Sequence, residues 1–160
     1  MSGDQQEPIA RLEAQERELV FRSFDNTDAW KLGSAMVTAA NERALAITID
    51  IRRHGHQLFH AALEGTAPDN DRWIERKINV VNRFGASSYL VGRRLAATGR
   101  QLDAALGVEP ALFAAHGGAF PIRIAGVGVV GTVTVSGLPQ SEDHAFVTEM
   151  IAAFLADRTH

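Results

Sequence analysis

The stretch LAITIDIRRHGHQLFHAAL, residues 45–63, decides how this chain is expected to fold. Two runs of β-branched and apolar residues flank the pair His54-Gly55, which resembles the Asn-Gly class of two-residue hairpin turn. Histidine tolerates a positive φ better than most residues do, so it suits such a turn. The stretch therefore predicts a β-hairpin with strands at 45–53 and 56–63.

The pairing of the two strands follows by counting outward from the turn. The predicted pairs are Ile51 with Leu58, Ile49 with His60, Ile47 with Ala62, Asp50 with Phe59 and Arg52 with Gln57. The isoleucine face is then apolar except for His60, whose imidazole needs a hydrogen bond if it is buried. Two interpretations stay open: His60 is a satisfied core histidine, or it is a general base or axial ligand in a pocket.

A second hairpin is predicted around Ala125-Gly126, where GAFPIRI (118–124) meets VGVVGTVTVS (127–136). Its inner face is expected to hold Phe120, Ile122, Ile124, Val129 and Val133, with Arg123, Thr132 and Thr134 opposite. The glycines of AGVGVVG match G-x-G-x-x-G literally, yet no helix follows them. A dinucleotide site is therefore not predicted there.

Helices are predicted around the two hairpins, at about 8–18, 26–43, 70–84, 87–99 and 141–156. Their ends carry the usual signals, since Pro8 lies in the first turn of the first helix and Gly85 ends the third. Two hairpins packed with helices predict an α+β sandwich over an antiparallel sheet of about five strands. We expect residues 1–18 to form an N-terminal helical extension and residues 19–160 a single domain.

The composition narrows the class of protein. The 160-residue chain has a net charge of −3, whereas binders of nucleic acid or anionic membranes need clustered Lys and Arg, so neither partner is expected. It has no cysteine, which excludes disulfides and thiolate metal sites. Residues 1–18 lack the apolar run of a secretory signal, and no segment approaches the roughly 18 apolar residues of a membrane span. We therefore expect a cytoplasmic protein.

The stretch TAPDNDRWIERK (66–77) is a candidate ligand site beside a plain structural explanation. Asp69 or Asn70 starts a helix here, and Lys77 follows about two turns later. These residues form either a helix cap with a solvated charged face or a site that presents Lys77 to a ligand carboxylate. The spacing does not choose between the two.

Two further stretches bear on a ligand site. HGGAFP (116–121) places His116, a candidate metal ligand or base, before Gly117 and Gly118, which permit a close backbone approach; a bare turn is the alternative. TVSGLPQSEDH (134–144) is either a strand handing over to a helix or a ligand wall, formed by His144 with the Ser136-Gly137 backbone.

Long fragments of the chain resemble a known family in order and spacing. They are FRSFDNTDAWKLGS (21–34), IDIRRHGHQLFHAALEGTAPDNDRWIERKINVVNRFGASSYLVG (49–92) and HGGAFPIRIAGVGVVGTVTVSGLPQSEDH (116–144). The family is uncharacterised protein family 0303, a small group within the haem-degrading-domain superfamily, and the resemblance covers about residues 19–156. The likeness to the haem-binding and glycolate-operon members of the superfamily is much looser.

This resemblance implies a profilin-like α/β sandwich and self-assembly into symmetric oligomers. Some superfamily members bind or degrade haem, and related domains occur in corrinoid and glycolate operons. The polar residues that the matching fragments carry are Asp50, Arg52, His60, Asp69, Asn70, Lys77, Arg83, His116 and His144. Their roles stay open, since shared fold alone does not transfer chemistry.

Taken together, these observations predict a homo-oligomer that binds a small anionic or carboxylated organic ligand near His60, His116 and Lys77. In an enzymatic version, a histidine would move a proton while Lys77 or Arg83 held the carboxylate. The alternative is a non-catalytic assembly or protein-interaction module.

Haem or a related tetrapyrrole is the second ligand class considered. His60, His116 and His144 are the candidate axial nitrogens, with His60 or His116 preferred if haem binds. Arg52, Arg83 and Lys77 are the cations available to its propionates. No spacing fixes two of the histidines on one iron, so no metal ligand is firmly predicted.

Overall fold

The computed structural model of the protein describes residues 7–158. Its helices are α1 (Ile9–Glu18), α2 (Asn26–Glu42), α3 (Pro68–Phe84), α4 (Ser88–Ala97) and α5 (Gln140–Arg158). Its strands are β1 (Thr48–Arg53), β2 (His56–Ala62), β3 (Ala119–Ile124) and β4 (Gly128–Ser136), and two short 3-10 helices, Ala104–Leu106 and Pro110–Leu112, precede β3. No helix in this described part is both long and apolar enough to cross a membrane.

The four strands form one antiparallel sheet in the order β2-β1-β4-β3. Both predicted hairpins are confirmed, and His54 has the positive φ that its turn requires. Within residues 7–158 the sheet has four strands rather than about five, since the segment before α2 contributes only an isolated bridge between Phe21 and Ile124. The α+β sandwich with an antiparallel sheet is confirmed.

The predicted register of the first hairpin is wrong beyond its turn. Arg52 does pair with Gln57, but a β-bulge then shifts the ladder by one residue, so that Ile51 pairs with Phe59 and Asp50 with His60. A one-residue shift moves every later side chain to the other face of the sheet. His60 therefore does not share the isoleucine face.

A second bulge has the same effect in the other hairpin. Ile122 pairs with Gly131 and Arg123 with Val129, so Val130 is the extra residue. Val129 consequently lies outside the apolar face, 36% exposed, while Val130 packs against the core in its place. Phe120, Ile122 and Val133 lie in the core as predicted.

Helices cover the two faces of the sheet differently. α2 and α5 pack on the apolar face, over a core that includes Ile49, Ile51 and Val135. α3 packs on the opposite face, which carries a row of buried polar side chains. These buried polar residues are Thr48, Asp50, Thr132, Thr134 and Ser136. Buried polar side chains are uncommon in a protein core, so the face of the sheet beneath α3 is a candidate location for a functional site.

Candidate functional site

A cleft of about 280 Å³ opens where α3 meets the two loops that border β3 and β4. Its lining residues are Asp69, Asn70, Trp73, Lys77, His116, Ser136, Gly137, Leu138, Gln140 and Asp143. Four of the predicted site residues, Asp69, Asn70, Lys77 and His116, therefore meet at one place. The segment 134–144 connects β4 to α5 and also forms one wall of the cleft.

Lys77 and Asp143 form a buried ion pair in the wall of this cleft. The Lys77 ammonium donates to Asp143 Oδ2 at 3.2 Å and to the Val135 carbonyl at 3.1 Å. Lys77 is 3% exposed and Asp143 is 1% exposed. The Leu138 backbone N–H donates to the second carboxylate oxygen at 3.0 Å, so both oxygens have partners. The pair ties the middle of α3 to the first turn of α5.

Burial opposes the charge on both members of the pair. It lowers the pKa of Lys77, against the attraction of the Asp143 carboxylate. It also raises the pKa of Asp143 to about 6, against the hydrogen bonds and the cation that favour the carboxylate. A low-dielectric site penalises any charged form, so proton transfer between the two groups costs less here than in water.

Gly118 and Gly117 leave the space that this arrangement needs. Gly118 has φ +140°, and a Cβ there would lie 2.4 Å from the Val135 carbonyl oxygen and 2.7 Å from Lys77 Nζ. A Cβ on Gly117 would lie 2.2 Å from the Gln140 carbonyl oxygen. The loop can therefore close against β4, α5 and the amine only because both side chains are absent.

Amide side chains line the cleft on either side of the pair. Asn70 Oδ1 accepts from the Ala67 backbone N–H at 2.9 Å, which satisfies the start of α3, and its amide nitrogen donates to Ser136 Oγ at 3.3 Å. Gln140 Oε1 accepts from the Gly117 N–H at 2.9 Å. The NH₂ group of Gln140 has no partner among residues 7–158, which leaves a donor for a ligand.

His116 and Trp73 stand at the mouth of the cleft. Their ring centroids are 5.3 Å apart, and the Arg76 guanidinium lies 4.8 Å from the Trp73 ring centroid on α3. Partial burial, with the charges of Lys77 and Arg76, lowers the pKa of His116. A neutral imidazole at neutral pH follows, and a neutral imidazole can accept a proton or donate one hydrogen bond.

The remaining predicted residues lie elsewhere. His60 Nε2–H donates to Asp71 Oδ1 at 2.8 Å, and neither belongs to the lining of the cleft. Asp50 accepts from Arg52 Nε at 2.9 Å and from Gln57 Nε2 at 2.8 Å. Arg52 lines a separate cavity of about 380 Å³. The bulge in the first hairpin places His60 on the face of the sheet that α3 covers, where it meets Asp71. It stays outside the cleft because β2 is an edge strand, separated by β1 from the strand β4 that borders the cleft.

Arg83 and His144 also lie outside the cleft. Arg83 donates to the carbonyls of Leu106 and Gly107 at 2.9 and 3.3 Å, so it holds the segment before β3. His144 is buried between α1 and α5, where Nε2–H donates to Gln15 Oε1 at 2.8 Å. Consecutive helical residues point in different directions, which is why Asp143 reaches the cleft and His144 does not.

His144 is expected to make the protein sensitive to acid. Burial lowers the pKa of His144 from 6.5 to about 4. Between these two pH values the imidazole is protonated in the unfolded chain and neutral in the folded chain. The free energy of unfolding is therefore unaffected above pH 6.5 and falls as the pH drops to about 4, by on the order of 3 kcal/mol. The variant His144→Phe should lack this loss of stability. Urea denaturation of both proteins at pH 7, 5.5 and 4 measures the free energy of unfolding. Parallel pH profiles for the wild-type protein and the variant would contradict the prediction.

The sequence pattern does not single out four residues of the cleft, which are Trp73, Leu138, Gln140 and Asp143. Gln140 and Asp143 lie beyond the Leu-Pro turn, in a segment that the residue pattern indicates only as the start of a helix. One signal was available: the chain has two lysines against fourteen arginines, and Lys77 lies within an otherwise apolar stripe of α3. A lysine in such a stripe needs a carboxylate partner.

Comparison with known proteins identifies the family. A model described as "Haem degrading protein HbpS-like" matches residues 24–152. A UPF0303 protein of Streptomyces coelicolor is 57% identical over 149 residues, which are 93% of this chain and 94% of the relative. A UPF0303 protein of Edwardsiella ictaluri is 49% identical over 150 residues, 94% of this chain and 96% of the relative.

Solved structures agree with these matches. The crystal structure of the Ybr137w protein has a TM-score of 0.86 at 32% identity, over 96% of this chain and 90% of that one. The PduOC:heme complex has a TM-score of 0.67 at 17% identity, over 84% of this chain and 95% of that one, which shows a shared fold alone. The chain therefore belongs to the HbpS-like haem degrading family and groups with its UPF0303 members.

Proposed function

We propose that the protein binds a small organic carboxylate in the cleft between α3, the Gly117-Gly118 loop and the turn that follows β4. The single observation that carries this proposal is the place of Lys77, a buried cation that faces a cleft instead of a closed core. The Gln140 amide and the His116 imidazole offer hydrogen-bond donors around it. A volume of about 280 Å³ suits a ligand of a few heavy atoms.

The charges around the cleft favour an anion. Lys77 and Arg76 both contribute positive potential near His116. Asp69 is exposed on the rim, where water and salt screen its charge. Asp143 neutralises Lys77 in the free protein, but its raised pKa lets it take up a proton near neutral pH. An entering carboxylate can then replace Asp143 as the counter-ion of Lys77, so anion binding is expected to be tighter at pH 6 than at pH 8.

Haem, which the family name implies, does not fit this cleft. A haem needs an axial ligand over a broad apolar slot. Ordinary small-molecule sites have volumes of about 300–1,000 Å³, and this cleft is slightly smaller. Most of the side chains that line it are polar. His60 and His144 are each held by a hydrogen bond away from it. Carboxylate binding in this cleft therefore involves no haem chemistry.

Fluorescence of Trp73 is expected to report carboxylate binding. The chain has two tryptophans, and Trp30 lies 66% exposed on α2, across the sheet from the cleft. In Trp30→Phe, titration with acetate, lactate, pyruvate or succinate should give a saturable change in emission for at least one of them. Adding Lys77→Met should weaken that binding about tenfold or more, because a charge-assisted hydrogen bond is lost.

Lys31→Met is the matched control, since it removes the same charge from an exposed position on α2 and should leave the affinity unchanged. Haemin forms the second arm of the experiment. A sharp Soret shift that His116→Ala abolishes, with no response to any carboxylate, would make haem the ligand instead. Silence towards every ligand, with a multimeric mass, would favour the non-catalytic assembly module.

A further inference from the structure

We propose that Lys77 forms an imine with the carbonyl carbon of a small 2-oxo acid bound in the cleft. This inference rests on the proposed carboxylate site and names the class of ligand that would use it. It adds a covalent step, which simple anion binding does not require.

The position of the amine supports the reaction. Within the described part of the chain, Lys77 Nζ has two partners, the Asp143 carboxylate and the Val135 carbonyl, so its third direction is left for the cleft. Gly118 has no side chain, and a Cβ there would occupy space 2.7 Å from Nζ. The nitrogen is therefore held by its two partners and lines the cleft, and the absence of a side chain at Gly118 keeps that position free of a clash.

The choice of lysine over arginine also supports it. Fourteen of the sixteen basic residues are arginines, and an arginine is the stronger partner for a buried carboxylate because its guanidinium binds in a bidentate manner. An ammonium can lose its proton and become a nucleophile, whereas a guanidinium cannot. Burial lowers the pKa of Lys77, which increases the fraction of free amine.

Asp143 can supply the proton that imine formation consumes. In the neutral form of the pair, Lys77 carries an NH₂ group and Asp143 a COOH group, and burial raises the share of that form relative to the ion pair. Nζ bonds to the carbonyl carbon, and one amine proton moves to the carbonyl oxygen to give a carbinolamine. Asp143 then protonates the hydroxyl group, the C–O bond breaks, and water leaves. The products are a protonated imine on Lys77 and a carboxylate on Asp143, which remain an ion pair.

The rest of the cleft suits the other half of a 2-oxo acid. Its carboxylate is bonded directly to the carbonyl carbon, so the two groups must be bound side by side. The Gln140 amide, which has no other partner among the described residues for its NH₂ group, and the His116 imidazole line the same cleft as Lys77. A ligand without the carbonyl, such as lactate, can use the same donors without forming the imine.

Reductive trapping tests the inference on the full-length wild-type protein. Pyruvate with cyanoborohydride should add one reduced pyruvyl group, and peptide mapping should place it on Lys77. Lys77 should be labelled faster than Lys31, because a lower pKa leaves a larger fraction of free amine at neutral pH. The expected ratio of the two rates is about tenfold or more for each unit by which the pKa of Lys77 lies below that of Lys31. Mapping also separates any label on the N-terminal amine. Lactate with the same reductant should add nothing. Lys77→Met should lose the label and Lys31→Met should keep it.

Parallel Trp73 titrations in Trp30→Phe separate the two proposals. If pyruvate and lactate both change the emission but Lys77 stays unlabelled, the imine is overturned and the carboxylate site stands. If neither ligand changes the emission and Lys77 stays unlabelled, both proposals are overturned. Because the label is mapped in the wild-type protein, a Lys77→Met variant that fails to fold does not affect the result.

Discussion

Asp143→Ala is expected to lower the free energy of unfolding at pH 7 by about 3–5 kcal/mol, the usual loss when one member of a buried ion pair is removed. The variant leaves Lys77 in the wall of the cleft with the Val135 carbonyl as its one remaining partner among residues 7–158. It also removes the acceptor of the Leu138 backbone N–H. Urea denaturation followed by circular dichroism measures the change.

The double variant Lys77→Met/Asp143→Leu is the informative partner of that experiment. Replacing both members of a buried pair by apolar side chains is often neutral or stabilising, so the double variant should recover most of the loss. A loss below about 1 kcal/mol in Asp143→Ala would show that the pair is not desolvated. In that case the pKa shifts of Lys77 and Asp143, and the chemistry built on them, would be wrong.

Gly118→Ala is expected to have a comparably large effect on the free energy of unfolding. Alanine is strained at φ +140°, and its Cβ would meet the backbone oxygen of Val135 at 2.4 Å. Strained backbone and overpacking each cost about 1–3 kcal/mol, so a total loss of about 2–6 kcal/mol is expected. Thermal and urea denaturation of the variant measure it.

Gly126→Ala is the matched control for the glycine prediction. Gly126 also has a positive φ, +78°, but apart from its two chain neighbours no heavy atom of residues 7–158 lies within 4 Å of the position that its Cβ would take. Only the backbone conformation is penalised there, at about 1–2 kcal/mol. Equal losses in the two variants would mean that the loop does not press against β4 and Lys77.

The sequence predicts the elements of this fold well and the register of its strands poorly. Helix ends and the His54-Gly55 and Ala125-Gly126 turns depend on local conformational preferences, which the residue types reveal. The bulges depend on how a whole strand fits its neighbours. A strict alternation of faces cannot reveal an extra residue, so Val129 and His60 were assigned to the wrong faces.

The candidate site was predicted in part for the same reason. Lys77 stands out because it lies in an otherwise apolar stripe of a helix, and His116 stands out because two glycines follow it. The contact between Lys77 and Asp143 joins residues 66 positions apart, and only the packing of α3 against β4 and the start of α5 creates it. Strict alternation predicts His60 on the apolar face, whereas the bulge places it beneath α3 on the edge strand β2, where it meets Asp71 outside the cleft.

Nuclear magnetic resonance of lysine side chains tests directly whether Lys77 lies in a ligand cleft. Protein labelled with ¹³C at lysine Cε should give two signals, one for each lysine, which Lys31→Met assigns. The Lys77 signal should titrate below the usual lysine range and should move when lactate is added, while the Lys31 signal stays in place. A Lys77 signal that titrates normally and ignores every carboxylate would contradict the assignment of this cleft as the functional site.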